Sequence, residues 1–308
     1  MNFRTIQLAI AASLVFSTLC LFGQQKNDAF PATTAVPASS AAKPQAPAPP
    51  FPVHKLGPLN VRVNWRFRTE AWDWFQPTAG NNSYAFEDSL LRIGIGQKRE
   101  AFEWFLEGTQ VAILGLPANS IQPGRQGQLG LGGTYYAANG NSRNNVNGSL
   151  KQAYATFKLP ANSTVRLGRF TFVDGAEIQP KDRSLATLVN TRVTQRLIGD
   201  FGFSAVQRSF DGLQFAFNRA GTNLTLLGAR PTEGVYQARG MKELDVTIFY
   251  GAFTVPVATK KHAGQLRIFG LGYVDGRANV LKTDNRSVPV RTADMSQIRI
   301  GTYGVNYA

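Results

Sequence analysis

The chain is poor in thiols, imidazoles and acids, and each shortage removes a class of function. Its 308 residues include one cysteine, Cys20, and two histidines. Cys20 lies in an apolar N-terminal stretch, so the rest of the chain has no disulfide or thiol chemistry. His54 and His262 stand apart from each other and from acids at metal-ligand spacing, which leaves no basis for a zinc site or a Ser-His-Asp arrangement. We therefore expect no metal, no cofactor and no catalytic centre. Glu103 and Glu107 could serve a glycosidase in principle, but they share one face of a strand, where ion pairing is the commoner reason for such a pair. Gly94-x-Gly96 falls inside a strand and not at a strand-to-helix turn, which argues against a phosphate loop. Beyond its start, the chain has no apolar run long enough to cross a bilayer as a helix. Acids number 19 against 33 Lys and Arg, a net charge of +14. That surplus points to an anionic partner. It is spread along the chain without clustering, and the chain carries an export signal, so nucleic acid is not expected.

What the chain does have is glycine and aromatic residues, with 30 Gly, 21 Phe, 9 Tyr and 4 Trp. Arg4 followed by the apolar stretch Leu8 to Phe22 predicts a signal peptide over residues 1–23. Residues 24–58, with PATTAVPASSAAKPQAPAPPFP at their centre, read as a Pro/Ala-rich linker with too little apolar surface to fold. From Leu59 the pattern changes to period two. Leu59, Val61, Val63, Trp65, Phe67 and Ala71 fall on one face, with Asn60, Arg62, Asn64, Arg66, Arg68 and Glu70 on the other. Similar alternation recurs around 91–96, 102–107, 152–159, 164–172, 208–219, 223–230, 244–255, 266–275 and 298–307. These segments predict about ten strands over residues 59–308. Short connections such as Gly221 to Asn223 alternate with long ones at 112–149 and 173–205, the layout of a membrane barrel with turns on one rim and loops on the other. The expected fold is therefore all-β, a transmembrane antiparallel β-barrel in a Gram-negative outer membrane. The end at Val305-Asn306-Tyr307-Ala308 lacks the terminal aromatic residue that closes bacterial barrels, so part of a larger barrel is expected in preference to a closed small one.

In such a barrel the polar side of each strand faces the lumen. Arg62, Arg66, Arg68, Arg92, Arg166, Arg208 and Arg299 are all expected there, with Lys158. Lumenal acids are fewer, and Arg outnumbers Lys. A guanidinium holds a carboxylate through two parallel hydrogen bonds, so an Arg-lined passage favours anions.

Several segments resemble the alginate export family of outer-membrane barrels. They are Asn64-Trp-Arg-Phe-Arg-Thr-Glu70, Leu150-Lys-Gln-Ala-Tyr154, Arg166-Leu-Gly-Arg169 and Arg208-Ser-Phe-Asp-Gly212. The resemblance runs from about residue 59 onward and rests on order and spacing. It implies a barrel of roughly eighteen strands and an Arg-rich constriction that conducts an acidic polysaccharide outward. On this chain it points to Arg62, Arg66, Arg68, Arg92, Arg166, Arg169 and Arg208 as substrate-binding residues. Asp174, Glu177 and Asp211 are the acids expected to hold those arginines in place. Implied partners are outer-membrane lipid, the anionic polysaccharide and periplasmic export proteins. Three other readings remain open: a general or small-anion porin, a secreted β-sandwich acting on polysaccharide, and a plugged structural barrel.

Overall fold

The computed structural model describes residues 53–77, 79–121, 127–257, 263–277, 282 and 285–308. The expected signal peptide, most of the expected linker and His262 lie outside the described residues. Eleven strands form one antiparallel sheet paired strictly in sequence order. They are β1 (His54–Leu56), β2 (Leu59–Asp73), β3 (Ser83–Lys98), β4 (Phe102–Leu114), β5 (Asn145–Leu159), β6 (Ser163–Phe170), β7 (Phe210–Arg219), β8 (Thr222–Pro231), β9 (Val246–Pro256), β10 (Gln265–Asp275) and β11 (Ile298–Tyr307). This is the up-and-down order of a β-barrel, and the all-β expectation holds. Among the described residues the sheet is open, with the far edges of β11 and of most of β2 paired to no other strand. The linker expected to run to residue 58 ends earlier. His54 to Leu56 pair with Leu59 to Val61 through a tight turn at Gly57, whose φ of 58° suits glycine.

Period two sorts the side chains onto two faces. On β8 and β9 the pattern is nearly strict: Leu227, Ala229, Ile248, Tyr250 and Ala252 are buried, while Leu226, Phe249 and Phe253 are exposed. The exposed face is apolar through the middle of the strands, with Glu87, Arg169, Asp211, Arg230 and Arg299 on it near the long connections. Trp65, Phe67, Ile93, Leu167, Leu213, Leu226, Phe249, Ile268, Tyr303 and Val305 all lie on it with more than a third of their surface open. An apolar face that none of the described residues covers is the reverse of a soluble sheet, which buries its apolar face and exposes its polar one.

The other, concave face is lined by polar residues near the short turns and by packed loops near the long connections. The connection from β4 to β5 contains α1 (Gly130–Ala138), that from β6 to β7 contains α2 (Arg183–Arg192), and that from β10 to β11 contains α3 (Val288–Ala293). Asp182 caps α2, accepting from the Leu185 N–H at 2.8 Å. Tyr135 of α1 packs with Phe86, Leu90, Val111 and Ile113 of the wall and with Ala205 and Val206 of the β6–β7 connection. That connection therefore folds back against the concave face and does not stand away from the rim.

Candidate functional site

The register of neighbouring strands sets the concave face in rows. One row runs Arg62, Gly94, Glu107, Gln152 across β2 to β5. Next to it lies Asn60, Gly96, Phe105, Tyr154, Gly168, and then Lys98, Glu103, Thr156, Arg166, Gln214. Glycine does specific work here. A Cβ on Gly94 would sit 2.6 Å from Cζ of Phe105, and one on Gly96 would sit 2.9 Å from its Cδ2. The Phe105 ring thus lies against strand β3 because two side chains are missing. The Arg62 guanidinium stands over that ring at 5.4 Å, and the Phe105 and Tyr154 rings are 5.9 Å apart. Arg166 in turn stands 4.7 Å from the Tyr154 centroid and 5.8 Å from that of Phe170, with its Nε donating to Thr156 at 3.1 Å. A guanidinium stacked on a ring keeps its N–H edges free for an acceptor. Gly94→Val is expected to push Phe105 off its seat and to cost about 1–3 kcal/mol, as overpacking does. Urea unfolding with and without the substitution checks this.

Nearer the loops the cations have partners. Arg68 binds Asp88 through Nε at 3.0 Å and Nη2 at 2.7 Å, and reaches Glu70 at 2.9 Å. Arg66 lies 3.8 Å from Asp88 but spends its hydrogen bonds on backbone, donating to the carbonyls of Gly202 at 3.0 Å and Ser204 at 2.6 Å. Arg92 donates to Gln207 Oε1 at 3.4 Å and Asn64 Oδ1 at 3.3 Å. A β-bulge at Glu107/Gly108 puts Lys151 on the concave side as an extra residue, where its Nζ donates to the Arg208 carbonyl at 2.9 Å. Wall cations therefore grip residues 202–208 of the β6–β7 connection.

The same connection is held at its start by the opposite end of the sheet. Arg267 of β10 is 3.3 Å from Glu177 and 3.9 Å from Asp174, and all three side chains are at most 3% exposed. The Tyr250 hydroxyl hydrogen-bonds with both Glu177 and Arg267. Asp174 also accepts from the N–H groups of Leu197 at 3.0 Å and Ile198 at 2.7 Å. Burial pushes the Asp174 carboxyl above its ordinary value. Between Asp174 and Arg208 the connection thus reaches from β9–β10 to β2, β3 and β5.

Three expected positions need correction. Arg169 is three residues from Arg166, and on a strand an odd separation puts two side chains on opposite faces. It pairs with Asp211, the two ends of its guanidinium at 2.6 and 2.5 Å, on the face that also carries Arg230. Arg299 falls out of step in the same way, opposite Val274 on the apolar face. Arg208 precedes β7 and belongs to the connection. Its guanidinium stands 5.4 Å from the Phe201 ring, and burial lowers its pKa. Arg62, Arg66, Arg68, Arg92 and Arg166 do share the concave face. Asp211 holds one of the seven expected arginines, whereas Asp174 and Glu177 hold Arg267, which was not among them. Arg267 alternates with Leu266 and Ile268, the same signal that singled out Arg166. Phe105, Tyr154 and Lys151 were also missed as parts of the site.

Among the described residues no group of three His, Cys, Asp or Glu could hold a metal ion. No family model matches the chain, and no curated protein matches it. The chain is similar to a solved structure described as the high-pH structure of Pseudomonas putida OprB. The two are 11% identical with a TM-score of 0.43, and the match covers 80% of this chain and 60% of that one. At that distance the likeness carries no chemistry across, and the site rests on the residues above.

Proposed function

We propose that the protein is a passive channel of the Gram-negative outer membrane that prefers anionic solutes. The observation that carries this reading is that Arg62, Arg92 and Arg166 face the concave side with no carboxylate partner among the described residues. Unneutralised guanidinium groups along a passage attract anions and, if each contact is weak, let them move on. The apolar outward face supports the membrane setting, because a bilayer is the environment that such a face fits. A β-sandwich would bury that face against a second sheet.

Within this reading, the resemblance to alginate exporters favours an acidic polysaccharide of the polyuronate type as the solute. A general small-anion porin is the second reading. It is favoured by the β6–β7 connection, which is fixed at both ends and narrows the space a polymer chain would need. Planar-bilayer current in the presence of a short polyuronate separates the two. A block by the polyuronate and none by a neutral oligosaccharide of equal length is the result expected of the exporter. Current indifferent to both leaves the porin.

A further inference from the structure

We infer that the short-turn rim binds the headgroup of an anionic phospholipid at Arg99 and Lys158, with the acyl chains along the outward aromatic side chains beside them; this rests on the membrane setting above and not on the solute. The cations of the two rims are differently placed. Among the long connections they are paired: Arg230 holds Asp245 at 2.9 Å, Arg286 holds Asp294 at 2.7 Å and Lys242 reaches Glu233 at 3.6 Å. Among the short turns they are not. Lys55, Lys98, Arg99, Lys158 and Arg219 stand in or beside the turns at 57–58, 99–101, 160–162 and 220–221. All five are exposed, and none makes an ion pair among the described residues. Glu100 is the one acid in these four turns, and it is exposed too.

The β3–β4 turn gathers these charges. Lys158 Nζ donates to the Arg99 carbonyl at 2.8 Å, which brings the ammonium of β5 to that turn. The turn itself is fixed, because the Lys158 N–H donates to the Ala101 carbonyl at 2.9 Å and the Arg99 N–H to the Phe102 carbonyl at 2.8 Å. Arg99 Nε donates to Gln97 Oε1 at 3.0 Å, which leaves the two terminal nitrogens of the guanidinium for an acceptor. Lys98 adds a third positive charge here and Glu100 a negative one. On the outward face beside the turn, Phe102 lies directly opposite Phe157, with Trp104 and Leu159 next along their strands. The ligand class follows from this neighbourhood. A soluble anion leaves the aromatic face uncovered, a neutral lipid brings chains without net charge, and an anionic phospholipid supplies both. The source follows from the turns, which are two or three residues long and hold the cations next to the apolar band. In a barrel with its short turns on the periplasmic side, that level is the headgroup layer of the inner leaflet. Long basic side chains reach such a layer with their stems on apolar surface, and a guanidinium matches a phosphate through two parallel hydrogen bonds.

The test is tryptophan quenching of the full chain in phosphatidylcholine vesicles that carry a minor share of brominated phosphatidylglycerol or, separately, of brominated phosphatidylcholine. Bromine quenches an indole it touches, so excess quenching by the anionic lipid reports its enrichment beside a tryptophan, and Trp104 is the one next to this site. The expected result is excess quenching in the parent that disappears in Trp104→Phe. Arg99→Gln and Lys158→Gln should each lower the enrichment roughly fivefold, the loss that goes with one cation at a lipid surface. Arg230→Gln, at the other rim and already paired, should leave it unchanged. Equal quenching by the two lipids in the parent, or an excess that survives the double variant Arg99→Gln, Lys158→Gln, overturns the site. Co-sedimentation with peptidoglycan that the double variant loses, without lipid enrichment in the parent, also overturns it and makes the wall polymer the partner. Bilayer current from the same preparations shows which variants have folded and separates the two proposals. Anion-selective current without enrichment removes the lipid site and keeps the channel, while enrichment without current does the reverse.

Discussion

Replacing Arg267 by Leu is expected to free the β6–β7 connection from the wall and to raise conductance. The substitution leaves Asp174 and Glu177 facing each other with no cation, at positions where the side chains are almost fully buried. Removing one partner of a buried ion pair costs about 3–5 kcal/mol, because the charge left behind has lost water as well as its partner. The connection can escape that cost by undocking, whereas the strands cannot. Trypsin should then cut at Lys181, Arg183, Arg192 or Arg196 much faster than in the parent, while the strands stay protected. The sign of the pH dependence follows from Asp174, whose carboxyl in the folded protein is already pushed above its ordinary value by burial. A carboxyl with a raised folded-state pKa contributes stability when protonated and loses it as pH rises through the window above 3.8. The ratio of Arg267→Leu cleavage to parent cleavage, taken at each pH so that trypsin's own pH dependence cancels, should therefore be larger at neutral than at acidic pH. Adding Asp174→Asn and Glu177→Gln should restore protection. Equal cleavage of Arg267→Leu and parent would mean that the buried cluster does not hold the connection.

Leu226→Arg is expected to destabilise the protein in a bilayer by about 2–4 kcal/mol, the cost of a cation on the lipid face at mid-depth. Leu226 lies midway along β8, points outward and is 47% exposed. Its row continues through Phe215, Gly251, Gly270 and Tyr303 without a charge. On the opposite face the same sheet carries Arg62, Arg66, Arg68, Arg92 and Arg166. The asymmetry is what a bilayer outside and a wet passage inside require. Urea unfolding in lipid vesicles measures the difference. A Leu226→Arg variant as stable in vesicles as the parent would put this face in water.

Strand alternation was legible wherever the two faces meet different surroundings. Leu59 to Asp73 and the segments at β7 to β11 agree with the pattern read from the residues to within a few positions. The pattern breaks down in the first half of β3 and the second half of β4, which extend well past the expected 91–96 and 102–107. There the inward residues Phe86, Leu90, Val111 and Ile113 are apolar, because they pack on Tyr135, Ala205 and Val206 and face no passage. The outward residues there, Ser83, Ala85, Glu87 and Ser89 of β3 and Gln110 of β4, are mostly polar, so the alternation is inverted from that on β2 and does not mark the inner side by its polarity. The site was legible as a set of arginines but not as partners. Arg66 meets Gly202 and Ser204, more than a hundred residues away, and no local pattern encodes that meeting. The misplacement of Arg169 was avoidable, since counting parity from Arg166 puts it on the other face.

The most direct test of the central claim is the reversal potential of the protein in a planar bilayer across a KCl gradient. Arg62, Arg92 and Arg166, inward and without carboxylate partners among the described residues, predict a reversal potential of the sign set by chloride permeation. The combined variant Arg62→Gln, Arg92→Gln, Arg166→Gln should move it toward zero. Cation-selective current from the parent protein, or a reversal potential unmoved by the three substitutions, would contradict the account.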